Sequence, residues 1–578
     1  MKKVVILGGG VAGMSAAQEL MERGFAVEVY EANPTYCGGK ARSVDVRFKQ
    51  HYPDSVPLPG EHGFRFFPGF YKHITDTMKK IPYTSPEGIK NENGVYDNLV
   101  ATEYVMMARM GKPPIVGPIS FPRNLDELKL FLKDVFGGVD SGLTQEEITF
   151  FAEKVWQLMT SCKERRENLY EKIGWWQFME AARFSETYRH LLVEGLTRTL
   201  VAAQAKRAST KTGGDIFLQL IFNMLDPFVN TDRVLNGPTN IKWLTPWLKF
   251  LTDGGVKYYF DHKVIKLDVA DYKISCAWVQ DKYGNQIKLE ADYYLLAVPI
   301  EIVKDLITRE MIEVDSTFTQ LIELAENVQW MNGLQFYLNE DMKINKGHVI
   351  YSDSQWAITS ISQMQFWPDF DIAACYNKKV RGVLSVDISD WQSIGNNGKI
   401  AKDCTVEEIK DEVWLQLKQG LNINGIEILR DDMVEQFYLD HDIQVKHGIE
   451  GRATNREPLL VNNVNTWCLR PPAYTNISNL FLSGDYVRTF TDLATMEGAN
   501  ESARRAVNCI IDASGIDAPF CEIWDLHEPG ILAGFRYKDN QRWKKGLPWD
   551  SPVTKNNIFI VLFYKIQRWF LKLRSRKN

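Results

Sequence analysis

Two sets of residues in this chain have the types and spacing to do chemistry. Gly8, Gly10 and Gly13 stand in G-x-G-x-x-G spacing, and Glu31 follows eighteen residues after the last of them. Glycines so placed permit a tight strand-to-helix turn and a close backbone approach to a pyrophosphate, whose charge meets free N–H groups and the helix dipole. Glu31 then suits the ribose hydroxyls of an adenosine. Just beyond it, Gly38-Gly39-Lys40-Ala41-Arg42 forms a second small-residue loop with two cations, placed to curl back beside the pyrophosphate. That favours FAD over NAD, with Gly39, Lys40 and Arg42 as further contacts. The second set is the aromatic, glycine-rich run from Glu61, in which His62, Arg65, Phe66 and Phe67 are candidates to stand beside an isoalloxazine ring. The same run also reads as a buried turn leading into a core helix.

These residues need particular elements to hold them. Val4 to Leu7 is a short apolar run suited to a buried parallel strand, a helical pattern follows to Arg23, and Ala26 to Tyr30 is a second strand ending at the acid. Far downstream, Trp243 to Leu251 reads as an amphipathic helix and Lys263 to Val269 as a strand. Tyr272 to Leu289 is a hairpin turning at Lys282 to Asn285, and Tyr293 to Val298 is a buried strand. Later still, Leu480 to Ser483 is a strand, Gly484-Asp485 a turn, and a helix with a small apolar face begins near Gly498. Asp485 can accept from a ribityl hydroxyl. The helix start at Met496 to Ala499 can offer N–H groups to a flavin N1–C2=O edge, where negative charge collects on reduction.

At this point a family resemblance becomes specific. Gly63, Phe67, Gly69 and Tyr71 match the GLHxFFGxY segment of plant-type phytoene and zeta-carotene desaturases, within the flavin amine oxidase superfamily. Gly484, Asp485, Tyr486, Met496, Glu497, Gly498 and Ala499 match their GDYT…SMEGA block. Arg65 stands where the family has histidine, and Pro68 where it has a second phenylalanine. The segment from Arg233 to Leu267 resembles the family's middle flavin block, which implies that Val264 holds the adenine through its backbone. The fold so implied is α/β: a Rossmann-type FAD-binding domain, amine oxidase-like, interleaved with a mixed-sheet and helical substrate domain. FAD-binding segments are expected at 1–92, 236–300 and 455–515, a substrate domain at 93–235 and 301–454, and a C-terminal extension at 516–578. The resemblance implies hydride transfer from an apolar, isoprenoid-like substrate to flavin N5, with His62 and Arg65 as catalytic candidates by position. Oxidation of an amine or amino acid, flavin-dependent double-bond isomerisation and non-catalytic lipid binding stay open beside it.

The rest of the chain sets bounds. Its 578 residues leave room for two to four domains, and 45% hydrophobic residues with a net charge of −5 give no reason to expect nucleic acid as a partner. Eight scattered cysteines without a CxxC pair argue for a reducing compartment, and neither they nor the nine histidines have metal-ligand spacing, so no metal is assigned. From about Asn93 to Asn236 the periodicity is mostly helical. The C-terminal run from Ile558 places Leu562, Ile566, Trp569 and Leu573 on one helical face with Lys565, Arg568 and Lys572 off it. That pattern suits an anionic membrane surface or a helix docked on the protein itself. A cytoplasmic protein in peripheral contact with the membrane, using a quinone or O2 as electron acceptor, is the expectation.

Overall fold

The computed structural model describes residues 1–48, 55–63, 65–118, 142–195, 204–225, 232–445 and 453–550. The expected basic amphipathic helix at the C-terminus and the helical pattern of Leu125 to Phe136 lie outside them. At the centre of the first half is a five-stranded parallel sheet in the order Leu480–Leu482, Tyr293–Leu296, Lys3–Leu7, Ala26–Tyr30, Lys257–Tyr259. Both faces of such a sheet are covered, which is why Val4, Val5, Ile6 and Leu7 are all fully buried and the strands are apolar rather than alternating. The helices Val11–Glu22 and Met496–Ser514 pack along each other on one face. The antiparallel strands His262–Ala270, Lys273–Asp281 and Gln286–Leu289 form a separate small sheet, its hairpin where the sequence predicts it.

The second half is organised around a seven-stranded mixed sheet, in the order Val434–Leu439, Asn332–Leu338, Gly382–Ile388, Ile358–Ser362, Val349–Tyr351, Tyr104–Arg109, Lys112–Pro118. Its outer face packs Leu334, Phe336, Leu384 and Val386 against Trp414 and Leu417 of the helix Val406–Leu421. That helix begins in a capping box, with Thr405 and Glu408 satisfying each other's backbone N–H groups. The two strands from Tyr104 to Pro118 depart from the expected helical run after Asn93. Met106, Met107 and Ala108 have no strong period-2 signal, and they become strand by pairing with Val349–Tyr351. Partner availability decided this, not intrinsic preference.

The helical expectation holds between Gln145–Thr160 and Thr210–Leu225, which with shorter helices enclose Trp175, Phe178, Tyr188 and Phe217. The helix Ala533–Lys544 docks here. Asp539, nearly fully buried, accepts from the Arg165 guanidinium and from the Cys162 N–H at 2.9 Å. Among the described residues no helix is long and apolar enough to cross a membrane.

Candidate functional site

The carboxyl ends of three adjacent parallel strands bring Gly8, Ala297 and Gly484 together. A Cβ on Gly8, whose φ is +109°, would lie 2.6 Å from the Ala297 carbonyl. The glycines of the first turn divide their work. At Gly13 a Cβ would fall 2.0 Å from the Gly8 carbonyl, so this residue serves helix-to-strand packing. At Gly10 a Cβ would meet only Gly39, at 3.8 Å, so this residue faces open space. Gly10 is the N-cap of Val11–Glu22 and offers no side-chain cap, leaving the first N–H groups of the helix for an anion. A pyrophosphate fits this cradle.

The adenosine side follows. Glu31 accepts from the Gly9 N–H and the Asn33 N–H, each at 2.7 Å, which fixes the glycine turn from below. Its carboxyl is pushed up by burial, partly offset by those two N–H groups. The Glu31 carbonyl accepts from the His262 N–H at 2.9 Å, so Val264 is held close by, on the edge strand of the small sheet. An edge strand has backbone groups to offer a base.

The loop Gly38–Ala41 does curl back: the Gly38 N–H donates to the Gly9 carbonyl at 2.9 Å. Its two cations, however, are committed to protein partners. Lys40 Nζ reaches Glu301 at 3.1 Å and the Pro458 carbonyl. Arg42, 3% exposed, forks Glu457 at 2.9 Å and bonds Asp442 at 2.7 Å. Charge neutralisation at the pyrophosphate therefore falls first to backbone N–H groups. His62, Asp442 and Glu457 have ligand atoms within 4.8 Å of one another, a spacing that suits a cation, and the Arg42 guanidinium is the cation held by two of them.

The distant block meets the first turn as the sequence spacing requires. Asn500 Nδ2 donates to Ser15 Oγ and to Thr77 Oγ1, each at 2.8 Å, tying the two long helices together across 485 positions. Gly484 N–H is held by Ser502 Oγ at 2.9 Å, and Asp485 lies near Lys40, contributing with Glu301 to that ammonium's raised pKa against the opposing effect of burial. The helix begins at Met496, two residues before the expected start, because Thr495 caps it by accepting from the Gly498 N–H. Glu497 does not face the cofactor side: it accepts from Lys72, His73 and Ile74 N–H groups and pairs with the His73 ring, capping the helix His73–Lys80.

The catalytic candidates sit where this nucleotide-binding half meets the seven-stranded sheet. The hairpin Ser43–Val46 and Leu58–Glu61 leads the chain across the sheet's inner face, where Gln335 holds both the N–H and the carbonyl of Glu61 at 3.1 Å. His62 Nδ1 lies 2.6 Å from Asp440 Oδ2, and its Nε2 is buried without a hydrogen-bond partner among the described residues. Burial opposes the charge on His62, but the Asp440 carboxylate wins and raises its pKa. Burial likewise opposes Asp440, yet His62 and a hydrogen bond from Asn332 hold it well below the usual carboxylate range. Arg65 donates to the Gly63 carbonyl at 2.6 Å and stands 4.0 Å from Glu61. Sequence reasoning missed Asp387, Asp440, Asp442, Glu457 and Glu301. Each is a lone acid with no motif around it, and only the pair Asp440 and Asp442 after a strand offered a local signal.

A family model described as NAD(P)-binding Rossmann-like domain matches residues 6–81, and one described as flavin containing amine oxidoreductase matches residues 244–511. A zeta-carotene desaturase, chloroplastic/chromoplastic, of Zea mays is 39% identical over 79 residues, and a carotenoid phi-ring synthase of Chlorobaculum tepidum 42% identical over 73. These stretches are 14% and 12% of this chain, and span only 12% and 10% of the relatives' lengths. The solved structure of wild-type putrescine oxidase bound to putrescine superposes with a TM-score of 0.56 at 14% identity, covering 88% of this chain and 99% of that one. Together with the cradle described above, these matches give the chain the fold of the flavin-containing amine oxidoreductases, with FAD as the cofactor that the cradle suits and a resemblance to their phytoene and carotenoid desaturase-like branch.

Proposed function

We propose that the protein dehydrogenates a carbon–carbon bond of an apolar, isoprenoid-like substrate. The observation that carries the reading is the convergence of two helix N-terminal turns, starting at Gly10 and Thr495 and tied by Asn500 to Ser15, at the carboxyl end of the parallel sheet, next to the inner face of a second sheet. Val234, Ile361, Phe366 and Trp367 supply an apolar cluster at that second sheet. The Gly63–Tyr71 and Gly484–Ala499 blocks, and the carotenoid named in both relatives, support an isoprenoid over other apolar molecules. Gly8, Gly10, Gly13, Glu31, Gly39 and Val264 would hold the ADP half of FAD, and Gly484, Asp485 and Met496 the ribityl and flavin half. FAD, when bound, supplies the oxidant that accepts hydride from a substrate C–H bond. His62 and Arg65 place positive charge beside the reacting region. A quinone serves as acceptor in this reading. The basic, amphipathic pattern of Ile558 to Lys577 supports peripheral contact of a cytoplasmic protein with an anionic membrane.

A second reading, oxidation of an amine with O2 as acceptor, draws support from the amine oxidoreductase match and the putrescine oxidase likeness. Anaerobic mixing of the FAD-loaded protein with zeta-carotene in micelles, and separately with putrescine, tests both. Bleaching of the flavin band by the carotenoid alone is the expected result. Bleaching by the amine alone overturns the desaturase reading in favour of the oxidase, and an altered double-bond geometry without bleaching establishes an isomerase.

A further inference from the structure

The inner face of the seven-stranded sheet carries one acid that no motif predicts. On the strand Gly382–Ile388, Leu384, Val386 and Ile388 point to the helix-covered core, so Asp387 points the other way, toward the nucleotide-binding half. It is 5% exposed, and its Oδ1 has no hydrogen-bond partner among the described residues. Room for the carboxylate is made by glycine. Its register partner on the neighbouring strand is Gly333, and a Cβ on Gly63 would lie 2.9 Å from Oδ1. The partner on its other side is Thr359, two residues from Ile361 of the apolar cluster.

Four charged or titratable groups face it: Arg65, His62 and Glu61 from the segment crossing the sheet, and Asp440 from the end of the strand Val434–Leu439. Glu61 is already occupied, accepting from the Thr239 N–H at 3.0 Å and the Thr239 hydroxyl at 2.8 Å. Asp440 is held by His62 and Asn332. That leaves Asp387 as the acid with an open oxygen. An unmatched buried carboxylate is costly unless it takes up a proton.

We propose that Asp387 accepts the proton released in the dehydrogenation. This rests on the function proposed above. In the balanced step one substrate C–H bond leaves as hydride, taken by the flavin as a two-electron oxidant. The adjacent C–H bond breaks with its proton going to Asp387 Oδ1, and its electron pair becomes the new C=C π bond. Arg65 and His62 stabilise the ionised carboxylate before the transfer. Burial, opposed by those two cations, pushes the Asp387 carboxyl up to about 7, so the group can both take and release a proton near neutrality.

The test compares wild type, Asp387→Asn and Gly63→Ala, all FAD-loaded, in anaerobic reduction by whichever of zeta-carotene and putrescine bleaches the wild-type flavin. Wild type should reduce faster as pH rises through about 7. Asp387→Asn should be slower by roughly 100-fold or more, with that pH limb gone and flavin content unchanged. Gly63→Ala, which crowds the carboxylate without removing it, should keep the limb but move its midpoint. A rate and pH profile in Asp387→Asn matching wild type overturns the proposal. Urea unfolding supplies a readout independent of turnover. Because its folded pKa is raised, Asp387 contributes stability below the carboxylate's unfolded pKa of about 4, and that contribution is lost as pH rises through about 7. Asp387→Asn should therefore gain on wild type between those values, and parallel curves would also overturn the proposal. If neither probe bleaches wild type, the proposed function fails, and the unfolding curves alone decide whether Asp387 holds a proton.

Discussion

The nucleotide-binding half and the interface above it solve opposite problems. The first is a cradle made by leaving things out: Gly8 and Gly13 let neighbouring backbone close up around the turn, and Gly10 leaves space in which helix N–H groups can meet an anion. The second is a cluster made by putting charges in, where buried Arg42 and His62 and half-buried Arg65 meet buried Glu61, Asp387, Asp440 and Asp442 and half-buried Glu457. A cradle of backbone depends on a few positions and tolerates nothing at them. A buried charge cluster spreads its work over many side chains, and removing one partner leaves another uncompensated.

The sharpest way to break this contrast is at the glycines. Gly13→Val should prevent folding, at a cost above about 4 kcal/mol, because its side chain would overlap the Gly8 carbonyl. Gly10→Val should fold normally and lose FAD affinity by roughly 100-fold or more, about 3 kcal/mol, since its side chain enters space that only the cofactor needs. Flavin absorbance per folded protein checks both, and full flavin content in Gly10→Val would end the assignment. Glu497→Ala should cost about 3 kcal/mol in urea unfolding by stranding three N–H groups and the His73 ring, although Glu497 sits inside the flavin motif. An effect confined to flavin binding would show that the family motif reads chemistry at this position rather than capping.

The charge cluster is next. Asp440→Asn should destabilise by about 2 kcal/mol at neutral pH, because His62 loses the carboxylate that raises its pKa. The sign with pH is fixed. The folded pKa of Asp440 is depressed, so its contribution is present above the unfolded value of about 4 and lost as pH falls through the folded one. Wild type should thus lose stability on acidification in a way the variant does not, and parallel curves would show that His62 draws its proton from elsewhere in the cluster. The smallest effect belongs to Thr405→Ala at the far helix, about 1 kcal/mol of unfolding free energy with no change in flavin content.

Legibility follows the same division. The strand Ala26–Tyr30 falls at its expected bounds and the hairpin turn at Lys282 to Asn285 lies where it is expected, since apolar periodicity and turn residues are local signals. The strands Tyr104–Arg109 and Lys112–Pro118 fall in a stretch whose sequence pattern is mostly helical: the first pairs with Val349–Tyr351, more than 230 residues away in sequence, and the second pairs with the first. Lys40 and Arg42 could be placed beside the glycine turn from sequence, but not their commitment to Glu301, Asp442 and Glu457.

What the sequence determined by itself was two local structures, the glycine turn from Gly8 to Gly13 and the turn and helix start from Gly484 to Ala499, because each is a short run whose glycines and capping residues have meaning without a neighbour. What only the tertiary structure decided was the company kept by the charges. Asp387 and Asp440 are unremarkable acids along the chain. Their protonation is set by burial and by His62 and Arg65, groups that folding brings to them from more than 300 residues away.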